Sequence, residues 1–242
     1  MYAKYGLRPG SWLLPPLCAS CQTVLDHPGL CHTCWADLQL VEDPACPHCD
    51  LPLEHALMPC PECLRMKSER RRLHVRRIKA CFRYQTVGRN LVLRLKHGDA
   101  TNIAPTLARM MGRRLWNDLP AETLIIPVPL HPLRGWQRRY NQAGLLADHL
   151  AREKGFAVHH DLLLRWRKTA NQGKFGRSQR FRNLQGAFHI RDPKALLPQQ
   201  SVLLVDDVMT TGATLTACAA SLKRAGALAV DALVLARVWR DS

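Results

Sequence analysis

The sequence has no uninterrupted apolar run approaching the ~18 residues that a membrane-spanning helix requires, so membrane insertion is not expected. No secretory leader is expected either. Trp12, Leu13 and Leu14 begin an apolar stretch, but Pro15 and Pro16 interrupt it before Cys18, short of the roughly 7–15 continuous apolar residues such a leader uses. The expected location is cytoplasmic, where thiols stay reduced and stable disulfides are excluded. Acids are scarce: 19 Asp and Glu face 35 Lys and Arg, a net charge of +16 in 242 residues. Aromatic residues make up 6% of the chain. Candidates for stacking on nucleic-acid bases therefore reduce to Trp166, Phe175 and Phe181, and burial explains each of these equally well.

What is present begins with an apolar share of 47%, that of a globular protein, in a chain long enough for one ordinary domain plus a small module. The positive charge is clustered. Arg65, Lys67, Arg70, Arg71, Arg72, Arg76, Arg77 and Lys79 crowd one segment against the single acid Glu69. Arg165, Arg167, Lys168, Lys174, Arg177, Arg180, Arg182 and Arg191 form a second segment with no acid inside it. Clustering of this kind favours a polyanionic partner over mere solubility, because bound Lys and Arg release the counterions of phosphates.

The cysteines are more specific. Cys18/Cys21, Cys31/Cys34, Cys46/Cys49 and Cys60/Cys63 form four Cys-x-x-Cys pairs. Such a turn places two thiolates on one side of a tight loop, and two turns complete a four-sulfur tetrahedral site for which zinc is the default metal. A disulfide framework conflicts with the missing leader, and redox chemistry would not need four pairs. Grouping the first two pairs and the last two gives a double zinc ribbon; the crossed grouping is equally compatible with the spacing. His32 and His48 lie inside two of the turns and are read as solvated. So small and polar a module draws its folding free energy from the metal. Cys81 and Cys218 stand apart and are read as buried small hydrophobes. The module is expected over residues 1–66 and a second domain over 67–242.

That second domain alternates apolar strands with amphipathic segments, as a parallel α/β sheet does. Strands are expected at 80–84, 124–128, 201–205 and 230–238, and helices at 88–96, 104–116, 141–153 and 214–224. The most informative stretch is Val202-Leu203-Leu204-Val205-Asp206-Asp207-Val208-Met209-Thr210-Thr211-Gly212-Ala213-Thr214. A buried strand delivers two carboxylates, and a hydroxyl- and glycine-containing turn then opens a helix. Backbone N–H groups from Thr210 through Ala213 to Thr214 can surround a phosphate, Gly212 permits close approach, and the threonines add hydroxyl donors. Asp206 and Asp207 can accept hydrogen bonds from a sugar diol at the carboxyl end of the sheet. Phosphate and diol together describe a ribose 5-phosphate. A Walker loop is excluded because no Gly-Lys-Ser/Thr follows, and a dinucleotide fold because the three-glycine fingerprint is absent.

This stretch resembles the phosphoribosyl pyrophosphate (PRPP) motif of type I phosphoribosyltransferases, and the whole chain resembles the ComF family, which includes ComFC and the YhgH-like DNA-utilisation proteins. Supporting segments are Leu95-Lys96-His97-Gly98, Pro127-Val128-Pro129-Leu130-His131, Arg139-Tyr140-Asn141-Gln142, Arg167-Lys168-Thr169 with Gln172, and Asn183 with Gly186-Ala187-Phe188. The resemblance implies a type I phosphoribosyltransferase fold, with helices flanking a parallel sheet and a basic hood over residues 168–180. It also implies a pyrophosphate loop around Pro129 to Arg134, Leu130 included, pyrophosphate contacts from Arg138 and Arg139, and Lys96 reaching into the site. Arg139 and Gln179 depart from the family pattern, which often has glycine and an acid there. Implied cofactors are structural zinc and magnesium bound with PRPP. Implied partners are single-stranded DNA and other DNA-uptake proteins, in natural competence or the use of DNA as nutrient. Two functions stay open: transfer of ribose 5-phosphate from PRPP to an acceptor, with Asp206 and Asp207 orienting the ribose, or PRPP-responsive binding of single-stranded DNA without catalysis.

Overall fold

A computed structural model of the protein describes residues 15–69, 71, 73–96, 100–130, 140–166, 177–196 and 199–239. Its centre is a five-stranded, wholly parallel sheet. The strands are β1 (Ile78–Arg83), β2 (Leu124–Pro127), β3 (Ala157–Val158), β6 (Ser201–Met209) and β7 (Ala229–Arg237), in spatial order β1-β7-β6-β2-β3. Two short strands, β4 (Leu163–Arg165) and β5 (Phe188–Ile190), pair antiparallel outside it. The helices are α1 (His32–Ala36), α2 (Pro61–Ser68), α3 (Thr86–Lys96), α4 (Ala104–Arg114), α5 (Gln142–Lys154), α6 (Arg177–Leu184) and α7 (Ala213–Arg224).

Both faces of the sheet are covered, so its strands read as continuous apolar runs. Alternate residues feed two cores. Val202, Leu204, Val230, Ala232 and Val234 point towards α7, whose Leu215, Cys218, Ala219 and Leu222 recur at helical spacing. Leu203, Val205, Leu233 and Leu235 point the other way, into a layer built from α3, α4 and α5. Gly88 on α3 is needed for that packing: a Cβ there would lie 2.2 Å from the Arg83 carbonyl oxygen and 2.8 Å from the Phe82 ring. Asn141 caps α5 by accepting from the Ala143 N–H at 3.2 Å. Cys81 and Cys218 are both fully enclosed in these cores.

The cysteine-rich segment is docked onto the sheet. Val41 N–H donates to the Cys81 carbonyl at 3.0 Å and Ile78 N–H to the His48 carbonyl at 2.9 Å. Buried Asp50 accepts from Ala80 N–H at 2.8 Å, and both of its carboxylate oxygens accept from Arg114 Nη2, whose Nε donates to the Ala80 carbonyl. Burial pushes the Asp50 carboxyl up, against the lowering effect of the Ala80 and Arg114 contacts. On the opposite side, Arg94 of α3 donates to the carbonyls of Cys18 and Ala19.

Four expected strands and four expected helices are present, with ends displaced by up to four residues. The largest displacement is instructive. β6 does not stop at Val205 but continues through Asp206 and Asp207 to Met209, because β7 goes on pairing with it as far as Met209 opposite Arg237. β2 ends at Pro127, opposite Val205. Beyond that point, after a last bond from Val128 N–H to the Val205 carbonyl, β6 has no strand partner on the β2 side among the described residues, and a crevice lined by Asp206 and residues 208–215 opens. Since β2 leads outward to β3 while β6 leads back to β7, the crevice lies where the strand order reverses, the usual ligand position in open α/β sheets.

Candidate functional site

Within the crevice, β6 presents Asp206 and Asp207 in succession, and the turn Thr210-Thr211-Gly212 leads directly into α7. Gly212 adopts φ 73°, a left-handed conformation that a side chain would strain. Thr211 Oγ1 accepts from Ala213 N–H at 3.4 Å, a contact an incoming anion could replace. Asp207 N–H donates to Asp206 Oδ1 at 2.8 Å. Enclosure of the Asp206 carboxyl, reinforced by the neighbouring Asp207 charge, pushes its pKa up to about 8. Lys96, the last residue of α3, reaches across to Asp207 Oδ2 at 2.8 Å. A carboxyl pair is thus gathered with one cation beside it and a nest of N–H groups at its end.

Pro129 and Leu130 follow β2 along the crevice rim, half-buried. Asn141 Nδ2 donates to the Val128 carbonyl at 3.2 Å, and Tyr140 Oη donates to the Leu95 carbonyl at 2.9 Å. These two contacts tie the start of α5 to the end of β2 and to the turn carrying Lys96. Neither role is legible in the sequence, where Tyr140-Asn141-Gln142 is only a motif. Arg138, Arg139, His97, Gly98, His131 and the hood segment 168–176 lie outside the described residues.

The cysteines fall into two groups, Cys18/Cys21/Cys31/Cys34 and Cys46/Cys49/Cys60/Cys63, with the sulfurs of each within 4.8 Å of one another. Sequential grouping is thereby selected over crossed grouping. Sulfur separations of 3.7 Å for Cys21–Cys31, 3.7 Å for Cys46–Cys63 and 3.6 Å for Cys49–Cys60 far exceed a disulfide bond of about 2.05 Å. They match the edge of a tetrahedron with metal–sulfur bonds near 2.3 Å, about 3.8 Å. Backbone N–H groups of Cys31 and Cys34 point at the sulfurs of Cys18 and Cys31. Hydrogen bonding from Cys49 and then Cys63 draws the Cys60 thiol down to about 4, while the same contacts push Cys63 up. The donor set suits two structural zinc ions, four sulfurs to each.

Several arginines of the basic segment before β1 are paired with acids of the protein itself. Asp231 on β7 is 2% exposed, and Arg76 grips it with two nitrogens while Arg77 adds a third contact at 3.3 Å. Arg77 also holds Asp118, Arg71 holds Glu69, and Arg65 holds Glu62. A second feature lies behind the phosphate turn: a groove of about 690 Å³ whose lining includes Arg71, His74, Phe181, Arg182, Lys223 and Arg224, with no acid among its lining residues. Trp166, 68% exposed, anchors its indole N–H on the Gly186 carbonyl at 3.0 Å.

Residues 10–64 match the double zinc ribbon domain family, and residues 143–240 match the phosphoribosyl transferase domain family. The DNA utilization protein YhgH of Salmonella typhi is 36% identical over 93% of this chain and 98% of that protein. Competence protein F of Haemophilus influenzae is 31% identical over 86% and 90%. Competence protein ComFC of Bacillus subtilis is 26% identical over 86% and 84%. Among solved structures, the hypoxanthine-guanine phosphoribosyl transferase of L. donovani aligns with 61% of this chain and 67% of that one, at 14% identity and a TM-score of 0.30. Among the described residues no helix is long and apolar enough to cross a membrane.

Proposed function

The chain belongs to the ComF family of competence and DNA-utilisation proteins, and from that membership we propose that it binds PRPP with magnesium and works in the cytoplasm in the use of imported DNA. The observation that carries the ligand reading is the enclosed Asp206–Asp207 pair, held beside Lys96 at the mouth of the Thr210–Thr214 turn. On this reading the N–H groups of Gly212, Ala213 and Thr214, with the hydroxyls of Thr210 and Thr211, receive the 5-phosphate. Asp206 and Asp207 receive the ribose 2- and 3-hydroxyls. Pro129 and Leu130 border the pyrophosphate, with Arg138, Arg139 and Lys96 as its cationic contacts.

Transfer then follows from charge placement. An acceptor nucleophile bonds to the ribose anomeric carbon as the carbon–oxygen bond to pyrophosphate breaks, the electron pair leaving with pyrophosphate and the acceptor proton passing to solvent. Positive charge develops on the ring, and the paired carboxylates lie on the side where they stabilise it. Magnesium brought in with PRPP would supply neutralisation of the leaving group. The cysteine-rich residues 1–66 serve as a zinc-stabilised module docked on residues 67–242.

A second reading is favoured by the acid-free cationic groove beside Phe181 and by exposed Trp166. Here PRPP acts as a signal and single-stranded DNA is the partner. Phosphorus NMR of protein, magnesium and PRPP, with and without candidate acceptors including DNA, separates the two. Acceptor-dependent pyrophosphate release supports transfer. DNA affinity that shifts with PRPP, without release, supports the signalling role, and absence of any PRPP binding removes both.

A further inference from the structure

Arg237, the last residue of β7, is 3% exposed. Its Nη2 lies 3.6 Å from the sulfur of Cys49, while Nε and Nη1 are enclosed and have no partner among the described residues. A guanidinium keeps its charge under all ordinary conditions, and one buried without a counter-charge is strongly destabilising. The adjacent anion is the second four-cysteine group. Four thiolates around one zinc ion carry a net charge of two minus, so the metal-loaded site supplies what Arg237 lacks.

The same arginine abuts the phosphate turn. Arg237 pairs with Met209 in the sheet, and Val238 N–H donates to the Met209 carbonyl at 2.9 Å. A small cavity whose lining includes Cys49, Glu62, Leu73, Thr210, Gly212 and Arg237 joins the two sites, and its one acid, Glu62, is held by Arg65. Leu73 completes the junction. It packs against the Cys46/Cys49/Cys60 cluster on one side, and on the other its Cδ2 lies 3.3 Å from where a Cβ on Gly212 would stand. Among the described residues the Cys18 group has no such junction; it is anchored through Arg94 on α3.

We propose that Arg237 is a positioning residue shared between the Cys46/Cys49/Cys60/Cys63 zinc site and the phosphate turn, so that zinc at that site and a sugar phosphate at the turn bind with positive coupling. The ligand half of this statement rests on the PRPP reading above. The physical reason is that zinc fixes Cys49 and hence the guanidinium, and an ordered guanidinium and Leu73 fix the backbone that meets the phosphate. Coupling is reciprocal by linkage: PRPP must retain zinc at this site to the same degree that zinc favours PRPP.

The test uses the full-length, zinc-loaded protein. Zinc release to a chromogenic chelator is followed with and without PRPP and magnesium, with Cys21→Ser and Cys60→Ser assigning the two release phases. PRPP is expected to slow the Cys46-group phase roughly 5-fold or more, within the usual range of coupling, and to leave the Cys18-group phase unchanged. Arg237→Met removes the charge at similar volume and is expected to abolish the slowing. Amide hydrogen exchange over residues 209–214, measured without ligand, is expected to rise in Arg237→Met and in Cys60→Ser but not in Cys21→Ser, with residues 142–154 as the internal control. Equal slowing of both phases, no slowing despite bound PRPP, or unchanged exchange in the turn overturns the proposal. If calorimetry finds no PRPP binding, the ligand reading fails by itself and the exchange comparison still decides the linkage. The release measurement on the unmodified protein, with its phases assigned by Cys21→Ser and Cys60→Ser, and the exchange comparison of those two variants do not depend on Arg237→Met, so they decide the proposal even if that variant does not fold.

Discussion

Lys96 Nζ and Asp207 Oδ2 stand 2.8 Å apart, joining the end of α3 to the middle of β6 across the mouth of the crevice. Both side chains are mostly enclosed, so this pair is worth more than a surface ion pair. Asp206 next to it is governed first by burial and then by the Asp207 charge, which together raise its pKa against the lowering pull of Lys96.

Replacing Lys96 by Met should therefore weaken PRPP binding on the order of 10–100-fold, the range for loss of a charge-assisted hydrogen bond, as read by titration calorimetry. Zinc content should stay at two per chain. Affinity equal to the parent's would mean Lys96 merely restrains Asp207 in the empty site.

The raised Asp206 pKa, about 8, makes a pH prediction with a definite sign. An unfolded aspartate titrates near 3.9, so between about pH 4 and pH 8 the folded chain holds the extra proton. Stability from this group is therefore lost as pH rises through that window. Asp206→Asn should flatten the melting-temperature profile of the ligand-free protein and raise its alkaline end, by roughly 2–4 °C for each kcal/mol relieved. Thermal scans across this pH range that match the parent's would show that the enclosure is not felt.

Arg76 and Arg77 should matter for folding and not for DNA. Removing both strands the Asp231 carboxylate inside the sheet, at a cost of about 3–5 kcal/mol, measured by urea unfolding. Asp231→Asn should cost less, because Arg76, 48% exposed, can turn to water. Unchanged stability in the double variant would place those arginines among the external charges.

Single-stranded DNA binding should weaken steeply with salt, by a log–log slope of roughly 0.7 for each phosphate neutralised. Arg182→Ala and Arg224→Ala, both lining the groove behind the turn, should each flatten the slope by about that amount without altering PRPP affinity. A salt-independent affinity in filter binding would remove the polyanion reading altogether.

Much of the site was legible because it is local. A buried strand, two acids and a Gly-containing turn within 13 residues form one unit whose geometry follows from its own backbone. The strand ends were less legible, since β6 extends to Met209 only because β7, 20 residues further on, continues to pair with it. The basic cluster at 65–79 misled in a similar way. Its arginines are neighbours in sequence, but their acids, Asp118 and Asp231, arrive from distant elements, so charge that reads as external is partly consumed within.

The sequence by itself determined the four-sulfur metal chemistry, the acid-bearing strand–turn–helix unit and the alternation of strand and helix, because each depends on contacts between residues close along the chain. Only the tertiary structure decided which cysteine pairs share a metal, that Lys96 meets Asp207, and that Arg237 lies buried between a zinc site and the phosphate turn. Those are unions of segments tens to nearly two hundred residues apart, as with Cys49 and Arg237. Their selection rests on burial: the sheet must cover both faces, and the charges it encloses must find partners wherever the packing has left them.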